Sequence, residues 1–135
     1  MDIHPGGSRP SRRASGEYFT GTVWQDSIVE APAPARVRAL LVSFEPGART
    51  NWHTHPLGQT LYVVSGTGRV QSFGGPLREV RAGAVPMLLL RRKPDNVAGP
   101  TTTMVHIAIQ ESLDGKTVDW LEKVTEEQYK AAAGG

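Results

Sequence analysis

From Tyr18 onward the chain alternates short apolar runs with turn-forming residues about every 8 to 12 positions, and no long stretch keeps the 3.6-residue period of an amphipathic helix. This rhythm predicts an all-β domain, an antiparallel sandwich or barrel over about residues 18–113. Val37 to Phe44 reads as a strand ended by Glu45-Pro46-Gly47. Leu61 to Val64 and Arg69 to Phe73 flank Ser65-Gly66-Thr67-Gly68, which predicts a hairpin. In the run Thr102 to Gln110, Met104, His106, Ala108 and Gln110 share one face and Val105, Ile107 and Ile109 the other. Both faces are largely apolar, so this strand is expected to be buried on both sides. At the C-terminal end Thr125 followed by Gln128 resembles a capping box, and Glu126 to Ala133 is rich in helix formers, predicting one short helix. Residues 4–16 are rich in Gly, Pro, Ser and Arg and have nothing to bury. The expected organisation is therefore a flexible N-terminal arm (1–17), one domain (18–130) and a disordered tail (131–135).

Composition narrows this reading. A chain of 135 residues supports one moderate core. The absence of cysteine removes disulfides and thiolate ligands, so any metal must be held by nitrogen and oxygen. No segment approaches the roughly 20 apolar residues of a membrane span, and the N-terminus lacks the apolar core of a signal peptide, so a cytoplasmic protein without a membrane partner is expected. A pI near 9.2 invites a nucleic-acid reading, but the net charge is only +2 and becomes −1 when Arg91, Arg92 and Lys93 are set aside. Arg9, Arg12 and Arg13 form a second cluster in the arm, and neither cluster interleaves with aromatic residues. Solvated charge, not nucleic-acid binding, is the expectation.

The candidate chemistry lies in Asn51 to Thr60, NWHTHPLGQT. On a strand, residues i and i+2 point to the same side about 6.5 to 7 Å apart, so His53 and His55 are able to converge on one ion. Spacing alone equally fits the exposed face of an edge strand. Pro56-Leu57-Gly58 forces a turn, and Gln59 follows it with a neutral carbonyl oxygen. His106, amid Met, Val, Ile and Ala, stands in the common setting of a core histidine. Three of four histidines in core-forming segments nevertheless point to a shared cavity.

These residues carry a resemblance. Phe44-Glu45-Pro46-Gly47-Ala48-Arg49-Thr50 and Trp52-His53-Thr54-His55-Pro56-Leu57-Gly58-Gln59-Thr60 resemble the first motif of the small bacterial cupins, closest to the manganese-dependent cupin hydroxynitrile lyases. The similarity continues through Tyr18 to Val23, Pro100 to Thr102, His106, Ile109 to Glu111, Leu113 to Lys116, Val118 to Trp120 and Val124 to Tyr129. It implies a jelly-roll β-barrel with a divalent metal in its mouth, manganese first, with iron or zinc as alternatives. It implies metal ligands at His53, His55 and Gln59, a proton-transferring His106, and substrate-pocket positions at Leu40, Val42 and Gln110. A small-molecule substrate and a homodimer or homotetramer follow from the same resemblance.

The departure lies in the second motif, where the family pattern runs from a glycine through a Pro-Gly turn to a histidine-rich segment supplying the third histidine ligand. Gly83 is present, but residues 84–97 read AVPMLLLRRKPDNV. Leu90 and Arg91 hold the turn positions, Pro94 the ligand position and Asn96 the place of a second family histidine. A proline ring nitrogen is an amide and has no lone pair for a metal. Either the third ligand has been lost or the window is a local replacement between matching flanks. Asp95, Asn96 or His106 could then complete the coordination. Three functions remain in play: a metal-dependent cyanohydrin lyase, impaired at this ligand; a cupin oxidoreductase of dioxygenase type; and a non-catalytic small-molecule-binding cupin.

Overall fold

The computed structural model describes residues 1–88, 95–98 and 102–129. Among them the strands are, in chain order, β1 (Ser11–Arg13), β2 (Phe19–Thr20), β3 (Val23–Glu30), β4 (Val37–Phe44), β5 (Arg49–Thr50), β6 (His53–Thr54), β7 (Gln59–Ser72), β8 (Arg78–Arg81), β9 (Met87–Leu88), β10 (Asp95–Ala98), β11 (Met104–Glu111) and β12 (Asp119–Trp120). Every pairing between them is antiparallel. The main path runs β1-β3-β4-β11-β7-β10-β5-β2, with β8 and β9 on β7 and with β6 joining β10 to β12. The core between the two halves is built from Phe19, Val23, Val42, Phe44, Leu61, Val63, Leu88, Val97, Met104 and Ala108. This is the antiparallel β architecture that the alternation of apolar runs and turns predicts.

The segment Ser65 to Gly68 does not form the expected hairpin. It lies inside the 14-residue strand β7, whose first part pairs with β11 and whose last part pairs with β8 and β10. The glycines serve close approach instead of chain reversal. Gly66 has φ +76°, and a Cβ there would lie 1.9 Å from the Thr103 carbonyl oxygen. A Cβ at Gly68 would lie 2.8 Å from the Met104 Cε. The register shift opposite, between Val105 and His106, bends the ladder where β7 leaves one half of the barrel for the other. Gly66→Ala should therefore destabilise the fold by about 3 kcal/mol or more, because backbone must move and a left-handed conformation is imposed on an L residue. A urea midpoint equal to that of the parent would contradict this account.

Strand β11 corrects a second expectation. Its Met104, His106 and Ala108 face is buried, but on the other face Val105 and Ile107 are only half-buried and Ile109 is 40% exposed, so the strand is fully buried on one side only. Its outward residues Ile107 and Ile109 stand opposite Tyr62 and Thr60 of β7 and Leu41 and Ala39 of β4. The N-terminal arm also carries regular structure. Ser11 to Arg13 pairs with Trp24 to Asp26, the Ser11 hydroxyl meets the Asp26 carboxylate, and the Arg9 guanidinium donates to Ser27 O at 2.8 Å. These bonds cover an edge of β3 that would otherwise be open. At the other end residues 126–129 are helical. Thr125 and Gln128 close the capping box reciprocally, Gln128 N donating to Thr125 Oγ1 at 3.1 Å and Thr125 N to Gln128 Oε1 at 2.9 Å. The remainder of the expected helix and the tail 131–135 lie outside the described residues, as do Leu90, Arg91 and Pro94.

Candidate metal centre

His53 and His55 are buried, at 3% and 9% exposure, which disposes of the exposed-edge alternative. His53 in β6 is held between two neighbours, with its backbone opposite Asp95 of β10 on one side and Trp120 of β12 on the other. The two imidazoles lie 4.9 Å apart, centroid to centroid, with perpendicular planes. Each is tied to a backbone carbonyl through Nδ1, His53 to Asn51 O at 2.9 Å and His55 to Thr117 O at 2.7 Å. A ring nitrogen facing a carbonyl must carry the proton, so the lone pair of each neutral ring is on Nε2, as a metal ligand requires. The Pro56-Leu57-Gly58 turn closes through Gly58 N donating to His55 O at 3.1 Å, with Gly58 at φ 76°, and delivers Gln59 as the first residue of β7.

Gln59 stands opposite Gln110 of β11, and its side-chain Nε2 donates to Gln110 Oε1. That bond leaves the Gln59 carbonyl oxygen outside the pair. Moving along β11 by two residues at a time gives Ala108 and then His106, whose partners across the ladders are Leu40 and Val42 on β4 and Leu61 and Val63 on β7. Leu40, Val42, His106, Gln110 and Gln59 thus share one inward face, with Leu88 of β9 opposite Gln59. His106 is buried, at 4% exposure, with Phe44 5.4 Å away, ring to ring. Its Nδ1 has no hydrogen-bond partner. A buried polar atom left unpaired is costly and marks a place where a ligand or water belongs.

Burial pushes His53 down from 6.5 to about 4, assisted by the nearby His55 and His106 rings, while the bond to Asn51 acts the other way. Burial likewise pushes His106 to about 4. That a charge on His106 is felt at His53 places the three rings in one electrostatic neighbourhood, and both residues are neutral at pH 7. In the metal-free protein each lowered value stabilises the fold above the unfolded pKa of about 6.5, and the contribution is lost as pH falls toward 4, because the unfolded chain then binds protons that the folded chain refuses. A shift of this size corresponds to roughly 3 kcal/mol per group. Urea midpoints should hold steady from pH 8 to 7 and drop steeply between pH 6.5 and 4.5; a flat profile over that interval would show that these rings are hydrated.

The donor set suits a divalent ion of the manganese, iron and zinc group: two imidazoles with lone pairs on Nε2 and one amide carbonyl oxygen. Among the described residues no three His, Cys, Asp or Glu side chains are grouped to hold a metal. Asn96, a candidate oxygen ligand by sequence, is directed elsewhere. It stands opposite Gln71, with Nδ2 3.5 Å from Gln71 Oε1, and lines a cavity of about 660 Å³ walled by Val70, Phe73, Val80 and Met87 and by none of the buried histidines. The expected third-ligand position, Pro94, lies outside the described residues.

Sequence reasoning gave no role to Thr117, whose carbonyl holds His55, or to Trp120, whose ring lies 5.0 Å from that of His53. A backbone acceptor leaves no mark in the identity of its residue. The aromatic at 120 is visible, but its partner, 67 positions earlier in the chain, is not.

Comparison with known proteins fits this geometry. The Cupin domain profile matches residues 40–85. The chain is 52% identical over 130 residues to the (R)-mandelonitrile lyase of Granulicella tundricola, covering 96% of this chain and 99% of that one. It is also similar to a cupin-like protein from Thermotoga maritima, with 36% identity, a TM-score of 0.82 and coverage of 98% and 97% of the two chains. The polyketide cyclase RemF of Streptomyces resistomycificus shares the fold, with a TM-score of 0.74 at 16% identity over 98% of this chain and 93% of that one. With a matching domain profile, a relative more than half identical over nearly the whole length and a paired-histidine face inside an antiparallel barrel, the chain belongs to the cupin family.

Proposed function

We propose that this chain is a cytoplasmic metal-dependent lyase that cleaves cyanohydrins to an aldehyde and hydrogen cyanide, with manganese as the favoured ion and with reduced occupancy. The reading is supported by the 52% identity to a mandelonitrile lyase, by the buried His53–His55 pair and by the face of β7 and β11 that carries Gln59 and His106. His53, His55 and Gln59 would hold the ion, which when bound supplies a Lewis acid for the substrate oxygen. His106 would take the cyanohydrin hydroxyl proton as the carbon–cyanide bond breaks and would pass it to the departing cyanide, giving the aldehyde and hydrogen cyanide. Burial keeps the imidazole neutral at pH 7 and so free to accept a proton. Leu40, Val42 and the partly buried Gln110 would shape the space beside it, the first two excluding water and the third holding Gln59. A homodimer or homotetramer is part of the reading, supported by the exposed apolar residues Tyr62 and Ile109 on neighbouring strands.

Purified protein incubated with racemic mandelonitrile, with and without added Mn²⁺, tests this. Cyanide and benzaldehyde should form in equal amounts, slowly as purified and faster with added metal. No cyanide release at saturating Mn²⁺, from this chain and from its Pro94→His variant alike, would overturn the lyase reading.

A further inference from the structure

Both histidine rings are held from outside the motif that carries them, by the last part of the chain. Thr117 O accepts the His55 Nδ1–H. Two residues later β12 pairs with β6, and the Trp120 ring packs against His53 while stacking on Tyr18 at 4.8 Å and meeting Phe19 edge-on at 5.4 Å. Leu121 N donates to Trp52 O and Trp52 N to Glu122 O, so the segment is stitched to the backbone between the histidines and Asn51. Its far end is gripped by Arg49. This guanidinium donates through Nε to Val124 O at 3.1 Å and through an Nη to Glu126 Oε1 at 3.0 Å, and lies 4.7 Å over the Tyr129 ring.

Arg49 is only 4% exposed, and burying a charge is costly unless it makes directed bonds. Its ion-pair partner Glu126 is 66% exposed, so water screens that attraction and the pair adds little stability. What the planar fork supplies is geometry, three groups of one segment read from one rigid centre four residues before His53. We infer that residues 117–129 form a strap that positions the histidine pair, with Trp120 as the positioning residue for His53 and Arg49 as the anchor of the strap. The inference rests on the reading of His53 and His55 as metal donors. Both would act through the imidazoles, Trp120 by its contact with His53 and Arg49 by holding the far end of the strap.

The test uses the full-length chain carrying Trp120→Leu, Trp120→Phe or Arg49→Lys, with Val23→Ala as a core-destabilising control away from the strap. Mn²⁺ affinity is measured by titration, and the tautomer of His55 by imidazole nitrogen shifts in the metal-free protein at neutral pH. Trp120→Leu should weaken Mn²⁺ binding about 10-fold or more, the scale typical of residues that orient metal ligands, and should mix the His55 tautomers. Trp120→Phe should restore most of both, Arg49→Lys should fall between, and Val23→Ala should lower the melting temperature without changing either signal. Folded Trp120→Leu with Mn²⁺ affinity within twofold of the parent and an unmixed Nδ1–H tautomer at His55 would overturn the proposal. If Trp120→Leu does not fold, Arg49→Lys decides by the same two readouts. If the parent binds no Mn²⁺, the metal reading itself fails, while the His55 signal in the metal-free variants still decides whether the strap positions the ring.

Discussion

Replacing His106 by alanine should lower cyanohydrin cleavage by at least about 100-fold and leave the bound metal nearly unchanged. The size follows from the typical contribution of a positioned acid or base, about 10² to 10⁴ in rate. The separation of activity from metal content follows from geometry. His106 is on β11, opposite Val42 and Val63, whereas His53 and His55 belong to the β6 segment, and among the described residues no three metal-binding side chains are grouped. Removal should also relieve a cost, because Nδ1 is buried without a partner and the ring is held neutral by burial. Elemental analysis of the variant beside a cyanide-release assay gives both numbers. Metal lost together with activity would reassign His106 as a ligand.

Pro94→His should raise metal content from well below one ion per chain toward one, with affinity increasing by at least about 10 to 100-fold, since disturbing even a residue that merely orients a ligand costs that much. His53, His55 and Gln59 are all neutral donors, so an ion held by them alone keeps its full charge in a low-dielectric cavity. Asp95, the residue after position 94, pairs directly with His53 and also with Ser72 of β7. If the single substitution fails and a rebuilt Pro-Gly turn with the histidine succeeds, the window Ala84 to Val97 is out of the family's register. A fully loaded, active protein that still carries Pro94 would sink the idea of an impaired site. Persistent silence of a loaded Pro94→His protein toward cyanohydrins would favour the binding-protein alternative.

The sequence by itself determined the β architecture, the strand Val37 to Phe44 at its observed bounds, the capping box at Thr125 and Gln128, and the sharing of one face by Met104, His106 and Ala108. All of these are local. Side-chain alternation, turn chemistry and capping act within a few residues, so they can be read along the chain. Only the tertiary structure decided the rest. Gly66 and Gly68 look like a hairpin turn until Thr103 and Met104 are seen to occupy the space where side chains would be. Ile109 looks like a core residue until it is found 40% exposed on the outer face of β11. His53 and His55 fit an exposed edge strand as well as a buried pair until Asn51 and Thr117 accept their Nδ1–H groups and Trp120 packs against His53. Arg49 looks like surface charge until it is found buried under Tyr129. In each case the deciding partner is either distant along the chain or a backbone group whose position no residue type encodes, because burial and hydrogen bonding depend on where the barrel brings segments together.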